Sequence, residues 1–336
     1  MFLFNKDTDK DVVVIAEIGV NHMGSLEWIL KMLPQVKESG ADAIKFQLFT
    51  PDLYASRSNL ERHLQVSKLA LSKNDFLQIK KIGDSIDLPV FATPVSHDWV
   101  SFIAEICGVI KIASGDFTFA PTIDMALSTT AKIIISSGAT SRDEVKDFVI
   151  KAKKMRPGND YFDNIGLLHC ISSYPPPINE SNLSAISDLK QLTDLTIGFS
   201  SHFLDDAPIY AALGMGARIF EIHVTDDRAR TDIRDHALSR TPQELKLIIN
   251  FINQINESLL SGEKAVQPSE KVSLNNLRKG IIYSKNLIKG SVLNQGDLTY
   301  ARPQNPDFLN IADLIGKKLS KSVDSHTTIN REDFEH

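Results

Sequence analysis

VVVIAE (residues 12–17) is a short apolar run that ends in a carboxylate, and seven similar runs follow it in the first two thirds of the chain. The seven are AIKFQ (43–47), PVFAT (89–93), VIKIAS (109–114), KIIIS (132–136), GLLHC (166–170), TIGFSSH (196–202) and RIFEIH (218–223). Between consecutive runs lies a segment long enough for one helix, which is typical of alternating strands and helices. Eight such units predict an α/β fold, a (β/α)8 TIM barrel, with its active site at the carboxyl ends of the strands.

The chain is longer than a barrel requires. It has 336 residues, whereas a barrel takes about 250. Residues 261–275 (SGEKAVQPSEKVSLN) are polar and contain Gly and Pro, which is typical of a linker. We therefore expect a catalytic barrel over residues 1–260, a linker over 261–275, and a small β-rich domain over 276–336.

The composition is that of an ordinary soluble domain. Hydrophobic residues make up 42% and charged residues 24%, and the formal net charge of -5 gives no general attraction for nucleic acid. No apolar stretch is long enough for a membrane span or a signal peptide. Cys107 and Cys170 lack metal-ligand spacing, so we expect buried, reduced thiols. These features predict a cytoplasmic protein without nucleic-acid or membrane partners.

Two histidines end the last two strands of the predicted barrel. His202 and His223 would therefore lie side by side, about 5 Å apart, at the catalytic mouth. Two imidazoles can hold one divalent metal and leave positions open for substrate oxygen atoms, as a Lewis-acid site requires. Glu17 and Glu221 are close enough in this arrangement to serve as a base or as a partner of these groups.

Two lysines occur within apolar strands, where an unpaired ammonium would be costly. Lys45 and Lys111 therefore need anions. Either they bind the phosphate and carboxylate of a substrate, or one of them forms a Schiff base. The hydroxyls at other strand ends favour the anionic substrate; they belong to Thr93, Ser114, Ser136 and Ser200. Tyr174 precedes three prolines, which either aim its ring at a ligand or hold it in a rigid connector.

Taken together, the motifs resemble those of the N-acetylneuraminate (sialic acid) synthase family. The barrel motifs are AEIGVNHMGS, IKFQLF, FATPVS, KIASGDF, ISSGAT, HCISSYPPP, IGFSSH and EIHVT, in that order. RKGIIYSKNLIKGSVLNQGDL resembles the C-terminal antifreeze-like (SAF) domain of the same family. The resemblance covers about nine tenths of the chain. It implies a condensation of phosphoenolpyruvate with an open-chain sugar of the N-acetylmannosamine type, giving a nonulosonic acid and phosphate.

The resemblance also implies roles for individual residues. His202 and His223 would bind Mn²⁺, or Mg²⁺ or Co²⁺ in its place, and Glu17 would handle the proton of the attacking water. Phosphate and carboxylate would be held by Lys45, Thr93, Lys111, Ser114, Ser136 and Ser200, together with Gln47 and Ser172. Tyr174, Asp116 and Asp235 would contact the amino sugar. In the family, the SAF domain of one protomer covers the barrel of the other and contributes an arginine, which implies a domain-swapped homodimer with Arg278 in that role.

The sequence departs from the family pattern mainly where the sugar binds. Ser201 replaces the usual aspartate before the histidine, Asp116 replaces a glutamate, and Ile233-Arg234 replaces Gly-Pro. These changes leave two acceptors open: N-acetylmannosamine itself, and a 6-deoxy diacetamido sugar that leads to legionaminic or pseudaminic acid. Two other classes of protein also remain as alternatives, a Schiff-base aldolase and a catalytically silent sugar-binding protein.

Overall fold

The structure is a computed structural model that describes residues 1–259 and 262–335. The chain forms two compact units, Met1–Leu260 and Ser261–His336. Two short strands, β1 (Phe2–Leu3) and β2 (Lys6–Asp7), open the first unit as an antiparallel hairpin. The next eight strands close into a parallel barrel, so the predicted TIM-barrel fold is confirmed. They are β3 (Val13–Gly19), β4 (Ala43–Leu48), β5 (Val90–Pro94), β6 (Val109–Ile112), β7 (Lys132–Ser136), β8 (Ile165–Cys170), β9 (Thr196–Ser201) and β10 (Ile219–His223).

Strand register places the candidate residues at one end of the barrel. The last strand, β10, pairs with the first barrel strand, β3, with Ile219 opposite Val13 and His223 opposite Glu17. Glu17 in turn lies opposite Lys45 on β4. Side chains of paired residues on adjacent strands point to the same side of the sheet. The polar residues near the strand ends therefore meet at the carboxyl end of the barrel.

Helices surround the barrel, and most of the longer ones bury an apolar face against the strands. Serine caps fix two of the helix starts: Ser72 accepts from the amide of Asp75, and Ser141 accepts from the amide of Glu144, each within a capping box. The helices of the first unit are α1 (Leu26–Ser39), α2 (Pro51–Tyr54), α3 (Leu60–Leu69), α4 (Lys73–Ser85), α5 (Val100–Cys107), α6 (Ala120–Ser128), α7 (Arg142–Met155), α8 (Asn159–Asn164), α9 (Ala185–Thr193), α10 (Ala207–Gly214), α11 (Asp235–Leu238) and α12 (Pro242–Leu259). In the part of the chain that the structure describes, no helix is both long and apolar enough to cross a membrane.

The amino-terminal hairpin closes the barrel at the end opposite the candidate site. Met1 and Leu3 are buried in a second core with residues near the starts of the barrel strands, among them Val13 and Ile219. The ring of Phe4 packs 5.2 Å from that of Phe91. The apolar residues of this hairpin therefore exclude water from the amino-terminal end of the barrel. The charged residues of the segment did not indicate this role.

The second unit begins with two short helices, α13 (Pro268–Lys271) and α14 (Leu274–Leu277), which lie across the stretch predicted as a linker. An antiparallel pair follows, β11 (Gly280–Tyr283) and β12 (Leu298–Ala301). The unit has its own apolar core, formed by Ile281, Tyr283, Leu293, Leu298, Phe308, Leu314, Leu319, Ile329 and Phe334. The separate antiparallel pair agrees with the β-rich structure predicted for this region.

The second unit also contains an internal repeat. Lys285 forms an ion pair with the buried Asp297, and Lys321 forms one with the buried Asp333. Both aspartates cap the turn that begins at an asparagine three residues earlier, Asn294 and Asn330 respectively. The spacing between lysine, asparagine and aspartate is the same in both halves, so residues 284–298 and 320–334 form two equivalent structural motifs.

Candidate active site

Two lysines and two glutamates form the charged floor of the barrel mouth. Lys45 Nζ lies 2.6 Å from Glu17 Oε2 and 3.7 Å from Glu221 Oε2. Lys111 Nζ lies 3.6 Å from the same Glu221 oxygen. All four side chains are buried, so each charge depends on the others for compensation.

Burial and ion pairing shift the pKa values of these groups in opposite directions. Burial disfavours the ammonium of Lys45, but Glu17 and Glu221 outweigh it, and the pKa of Lys45 lies above its ordinary value. The pKa of Lys111 is lowered, because burial is only partly offset by Glu221. The two lysines overcome the effect of burial on Glu221 and lower its pKa to about 2. Lys45 and Glu221 are therefore ionised at neutral pH.

Hydroxyl groups surround the lysines. Lys45 Nζ donates to Thr93 Oγ1 at 3.0 Å, and Lys111 Nζ donates to Ser136 Oγ at 2.7 Å. Ser200 Oγ donates to Glu221 Oε1 at 3.1 Å. Since each of these residues comes from a different barrel strand, the ammonium and hydroxyl groups converge on one space as a bound oxyanion requires.

A glycine permits two more hydroxyls to approach. The amide of Gly138 donates to Ser114 Oγ at 3.0 Å. A Cβ at position 138 would lie 2.3 Å from Ser172 Oγ and 2.7 Å from Ser114 Oγ. The absence of a side chain there therefore keeps Ser114 and Ser172 beside the backbone of the loop after β7.

The two histidines lie together above this floor. Their ring centroids are 5.3 Å apart. His202 Nδ1 donates to the carbonyl oxygen of Ile171 at 2.8 Å, which leaves Nε2 as the free ligand atom. Burial, with a smaller effect of His223, lowers the pKa of His202 to about 4, so its ring is neutral.

This pair fits a divalent metal. His223 Nδ1 is buried and has no hydrogen-bond partner in the described chain. Within residues 1–259 and 262–335, no group of three histidine, cysteine or acidic side chains has the arrangement of a metal site. The protein would therefore contribute two nitrogen ligands, with water or substrate oxygen atoms completing the coordination.

Tyr174 connects the histidines to the outer part of the site. Its ring centroid lies 4.0 Å from that of His202, and the guanidinium carbon of Arg234 lies 4.3 Å from the same tyrosine ring. Arg234 Nε also donates to Asp235 Oδ1 at 3.3 Å. Burial raises the pKa of Tyr174 well above its ordinary value, so the phenol keeps its proton.

Two cavities, here named the inner cavity and the outer cavity, adjoin at this point. The inner cavity, of about 260 Å³, is lined by Glu17, Lys45, Gln47, Thr93, Lys111, Ala113, Ser114, Gly115, Ser136, Ala139, Cys170, Ser172, Tyr174, Ser200, His202, Glu221 and His223. The outer cavity, of about 490 Å³, shares Gln47, Tyr174 and His223 with it. A substrate could therefore extend from the charged floor, past the histidines, into the outer cavity.

The structure brings most of the predicted site residues to these two cavities. Thirteen of the fifteen line one or both of them, and Asp235 lines only the outer one. Asp116 lies in the turn Ser114–Asp116 and lines neither cavity; burial, opposed by Lys111, raises its pKa to about 6. Arg278 is exposed in the second unit, where it follows α14, so its predicted contact with substrate remains a prediction.

Sequence reasoning missed most of the outer cavity. Its additional lining residues are Val20, Phe49, Tyr54, Arg62, Gln65, Val66, Leu69, Asp232, Ile233 and Arg234. Six of them lie in the insertion that carries α2 and α3, between β4 and α4. The length of that insertion does indicate an active-site rim, since long loops after barrel strands commonly form one, but it does not indicate which side chains line the cavity.

Comparison with known proteins places this arrangement in a family. Residues 32–264 match the model of the NeuB family. The chain is 31% identical to the N,N'-diacetyllegionaminic acid synthase of Campylobacter jejuni, over 93% of this chain and 97% of that protein. It is 28% identical to the human N-acetylneuraminate-9-phosphate synthase, over 95% and 91% of the two chains.

A solved structure agrees with these relatives. The N-acetylneuraminic acid (sialic acid) synthetase of Leptospira borgpetersenii, in complex with citrate, superposes with a TM-score of 0.73 at 32% identity, covering 78% of this chain and 90% of that one. The residues matched by the family model make up most of the barrel unit. The chain therefore belongs to the NeuB family and is an enzyme of the sialic acid synthase type.

Proposed function

We propose that this protein condenses phosphoenolpyruvate with an open-chain N-acetylated amino sugar of the N-acetylmannosamine type, giving a nonulosonic acid and phosphate. The observation that carries the proposal is the inner cavity, where two buried lysines and five serine and threonine side chains converge beneath a pair of histidines. Such a floor suits a small molecule with two anionic groups. The relatives named above, which are synthases of this type, support the same chemistry.

The lysines and hydroxyls bind the anionic ends of phosphoenolpyruvate. Lys111 and Ser136 form one donor pair, while Ser114 and Ser172 lie beside the backbone of Gly138. Charged donors to oxyanions form the stronger class of hydrogen bonds, and in a buried cavity little solvent competes with them. Lys45, which donates to Thr93, supplies a second fixed positive charge.

Glu17 is placed to act as the base. Its Oε2 contacts Lys45, and its Oε1 accepts from Gln47 Nε2 at 3.2 Å, so the carboxylate is fixed in the inner cavity beside a residue that lines both cavities. In the proposed reaction C3 of phosphoenolpyruvate bonds to the aldehyde carbon while water adds to C2. Glu17 takes one proton of that water and the aldehyde oxygen receives it. The hydroxyl left on C2 then gives its proton to the departing phosphate as the C2–O bond breaks and the ketone forms.

His202 and His223 would hold a divalent metal, Mn²⁺ being our first choice and Mg²⁺ or Co²⁺ the alternatives. When bound there, such an ion acts as a Lewis acid on the aldehyde oxygen of the acceptor. Tyr174 packs against His202 at the junction of the two cavities, where it would orient the amino sugar with Asp235. By resemblance we also propose a homodimer in which Arg278 of one protomer reaches the partner's site.

The test is a dual measurement of phosphate release and product mass. Phosphoenolpyruvate is incubated with N-acetylmannosamine or with 2,4-diacetamido-2,4,6-trideoxymannose, each with Mn²⁺ and with EDTA. We expect phosphate release only with both substrates and metal, together with a product whose mass is that of the acceptor plus pyruvate. Phosphate release without an acceptor would contradict the condensation.

The same samples distinguish the other classes of protein. A Schiff-base aldolase would be trapped by borohydride at Lys45 or Lys111 and would be indifferent to EDTA. A silent sugar-binding protein would bind an acceptor, as measured by calorimetry, yet release no phosphate with either sugar. We expect neither result, because Lys45 is held in its charged form and Lys111 is engaged by Ser136 and Glu221.

A further inference from the structure

Arg240 lies at the junction of the two loops that follow the histidine strands. It forms a parallel bridge with Val224, the residue that follows β10. The amide of Arg240 donates to the carbonyl oxygen of His223 at 2.7 Å, and the carbonyl oxygen of Arg240 accepts from the amide of Thr225 at 3.0 Å. The backbone of Arg240 therefore holds the end of β10 at one of the two proposed metal ligands.

The side chain of Arg240 reaches the loop that carries the other ligand. Its Nη2 donates to the carbonyl oxygens of Phe203 and Leu204, at 3.2 and 2.9 Å. Phe203 directly follows His202 in the chain. Both histidine loops are therefore hydrogen-bonded to the same residue, one through its backbone and the other through its guanidinium.

The other two guanidinium nitrogens are also engaged. Nη1 donates to the carbonyl oxygen of Leu238 at 2.7 Å, and Nε donates to Asp206 Oδ1 at 2.7 Å. Leu238 ends α11, which begins at Asp235 beside the outer cavity. A guanidinium presents five N–H donors in a fixed planar fork, whereas an ammonium presents three from a single atom. The arrangement around Arg240 therefore requires an arginine.

Arg240 makes these bonds inside the protein and away from the substrate. Its side chain is buried, and it lines neither the inner nor the outer cavity. Hydrogen bonds from a charged donor are strong where solvent competes little with them. Any effect of Arg240 on the reaction must therefore pass through the residues that it holds in place.

We propose that Arg240 is a positioning residue that fixes His202 and His223 relative to each other for the divalent metal. The two rings have their centroids 5.3 Å apart, and a functional site of this kind is held within about 0.5 Å of its productive geometry. This inference rests on the proposed function, because that function assigns the metal to the two histidines. Loss of the guanidinium should weaken metal binding more than phosphoenolpyruvate binding, whose proposed ligands Lys111 and Ser136 lie on other strands.

The experiment titrates the metal-free protein with Mn²⁺ in a calorimeter. Arg240→Met keeps the aliphatic stem and removes the donors, so the Kd for Mn²⁺ should rise about 10- to 100-fold, as is common when a residue that orients a metal ligand is lost. Arg240→Lys keeps the charge without the fork and should lie between Arg240→Met and the wild type. At saturating Mn²⁺, KM for phosphoenolpyruvate should stay within about two-fold of the wild-type value in both variants.

Arg156→Met is the matched control. Arg156 is also buried, and its guanidinium donates to backbone carbonyl oxygens near the end of α6, among them those of Leu127 and Ala131. It lines neither cavity. This variant should lose unfolding free energy in urea as Arg240→Met does, because both lose buried hydrogen bonds, but its Kd for Mn²⁺ should be that of the wild type.

A milder variant covers the case in which Arg240→Met does not fold. Asp206→Ala removes the partly exposed acceptor of Nε, and the Asp206 side chain makes no capping bond to α10. Its Kd for Mn²⁺ should rise by a smaller factor than in Arg240→Met, because the guanidinium keeps its carbonyl acceptors. Wild-type affinity in both Asp206→Ala and Arg240→Lys would then overturn the inference.

The outcomes separate this inference from the proposed function. Wild-type Mn²⁺ affinity in a folded Arg240→Met overturns the inference and leaves the condensation intact. An equal loss of affinity in Arg156→Met also overturns it, because the effect would then follow general destabilisation. Absence of Mn²⁺ binding in the wild type contradicts the metal site of the proposed function, and this inference with it.

Discussion

The ring of Tyr174 lies 4.0 Å from that of His202 and within 4.3 Å of the guanidinium carbon of Arg234. One aromatic side chain thus contacts both a proposed metal ligand and Arg234, an arginine that lines the outer cavity. Its phenol is protonated, since burial raises its pKa, so its contribution comes from packing and hydrogen bonding and not from charge.

Substitution of Tyr174 tests this role. Tyr174→Phe keeps the ring and is expected to retain activity within about ten-fold, whereas Tyr174→Ala removes the contact with both neighbours and should lower kcat/KM for the sugar by about 100-fold. Steady-state kinetics with each substrate varied in turn measures the effect. Equal losses in the two variants would instead assign the role to the hydroxyl.

Removal of metal tests the two histidines. EDTA should abolish phosphate release, and Mn²⁺ should restore it, because the open coordination positions are needed to bind a substrate oxygen. His223→Ala should bind Mn²⁺ at least about ten-fold more weakly in a calorimetric titration. His97→Ala is the control, since His97 lines neither cavity. Wild-type Mn²⁺ affinity in His223→Ala would remove that residue from the site.

Glu221 should stabilise the fold through its two lysine neighbours. Glu221→Gln leaves Lys45 and Lys111 without this shared carboxylate, and breaking such a buried arrangement costs about 3–5 kcal/mol of the free energy of unfolding. Urea unfolding at pH 7 measures the loss. Glu27→Gln, which removes an exposed ion pair with Lys31, is the control and should change stability only slightly.

The effect of Glu221 should also depend on pH. Its folded pKa of about 2 lies below the ordinary 4.5, so the unfolded chain binds the proton more readily. The stabilisation is therefore fully present above about pH 4.5 and is lost as the pH falls toward 2. The difference in unfolding free energy between the wild type and Glu221→Gln should narrow over that interval, and a constant difference would contradict the assignment.

Gly138 should be essential for binding phosphoenolpyruvate. In Gly138→Ala the new methyl would displace Ser114 and Ser172, so we expect KM for phosphoenolpyruvate to rise about ten-fold or more. Gly214→Ala is the matched control, because a Cβ at this last residue of α10 meets no atom within 4 Å. A normal KM in a folded Gly138→Ala would show that neither serine binds this substrate.

Mixing two inactive variants tests the proposed shared site. His223→Ala lacks a metal ligand and Arg278→Ala lacks the arginine proposed to act in trans, so a mixed dimer has one site with both residues intact. Random reassociation should restore about a quarter of the wild-type activity, since half of the dimers carry one intact site of two. Activity that stays at the level of the separate variants would indicate that Arg278 acts within its own chain or not at all.

The local sequence pattern was sufficient to predict the eight strands and most of the charged residues of the inner cavity. Apolar runs separated by helix-length segments define strands, and the residue that ends a barrel strand must lie at the catalytic end. This rule predicts that Glu17, His202 and His223 lie together, and the need of a buried ammonium for an anion adds Lys45 and Lys111, which lie within their strands. All five line the inner cavity. Asp116, which the family resemblance assigns to the amino sugar, lies in the short turn after β6 and lines neither cavity, so its role stays a prediction.

The sequence by itself determined the barrel, its family and the composition of the inner cavity, because a strand's periodicity and its final residue are local properties. Tertiary structure alone decided the outer cavity. Whether Arg62 and Val66 of α3 line this cavity depends on how the insertion packs against Ile233, which is distant in sequence. Likewise, the role of the amino-terminal hairpin could be recognised only from its burial against the starts of the barrel strands. Contacts between distant segments arise from packing, and no local pattern encodes them.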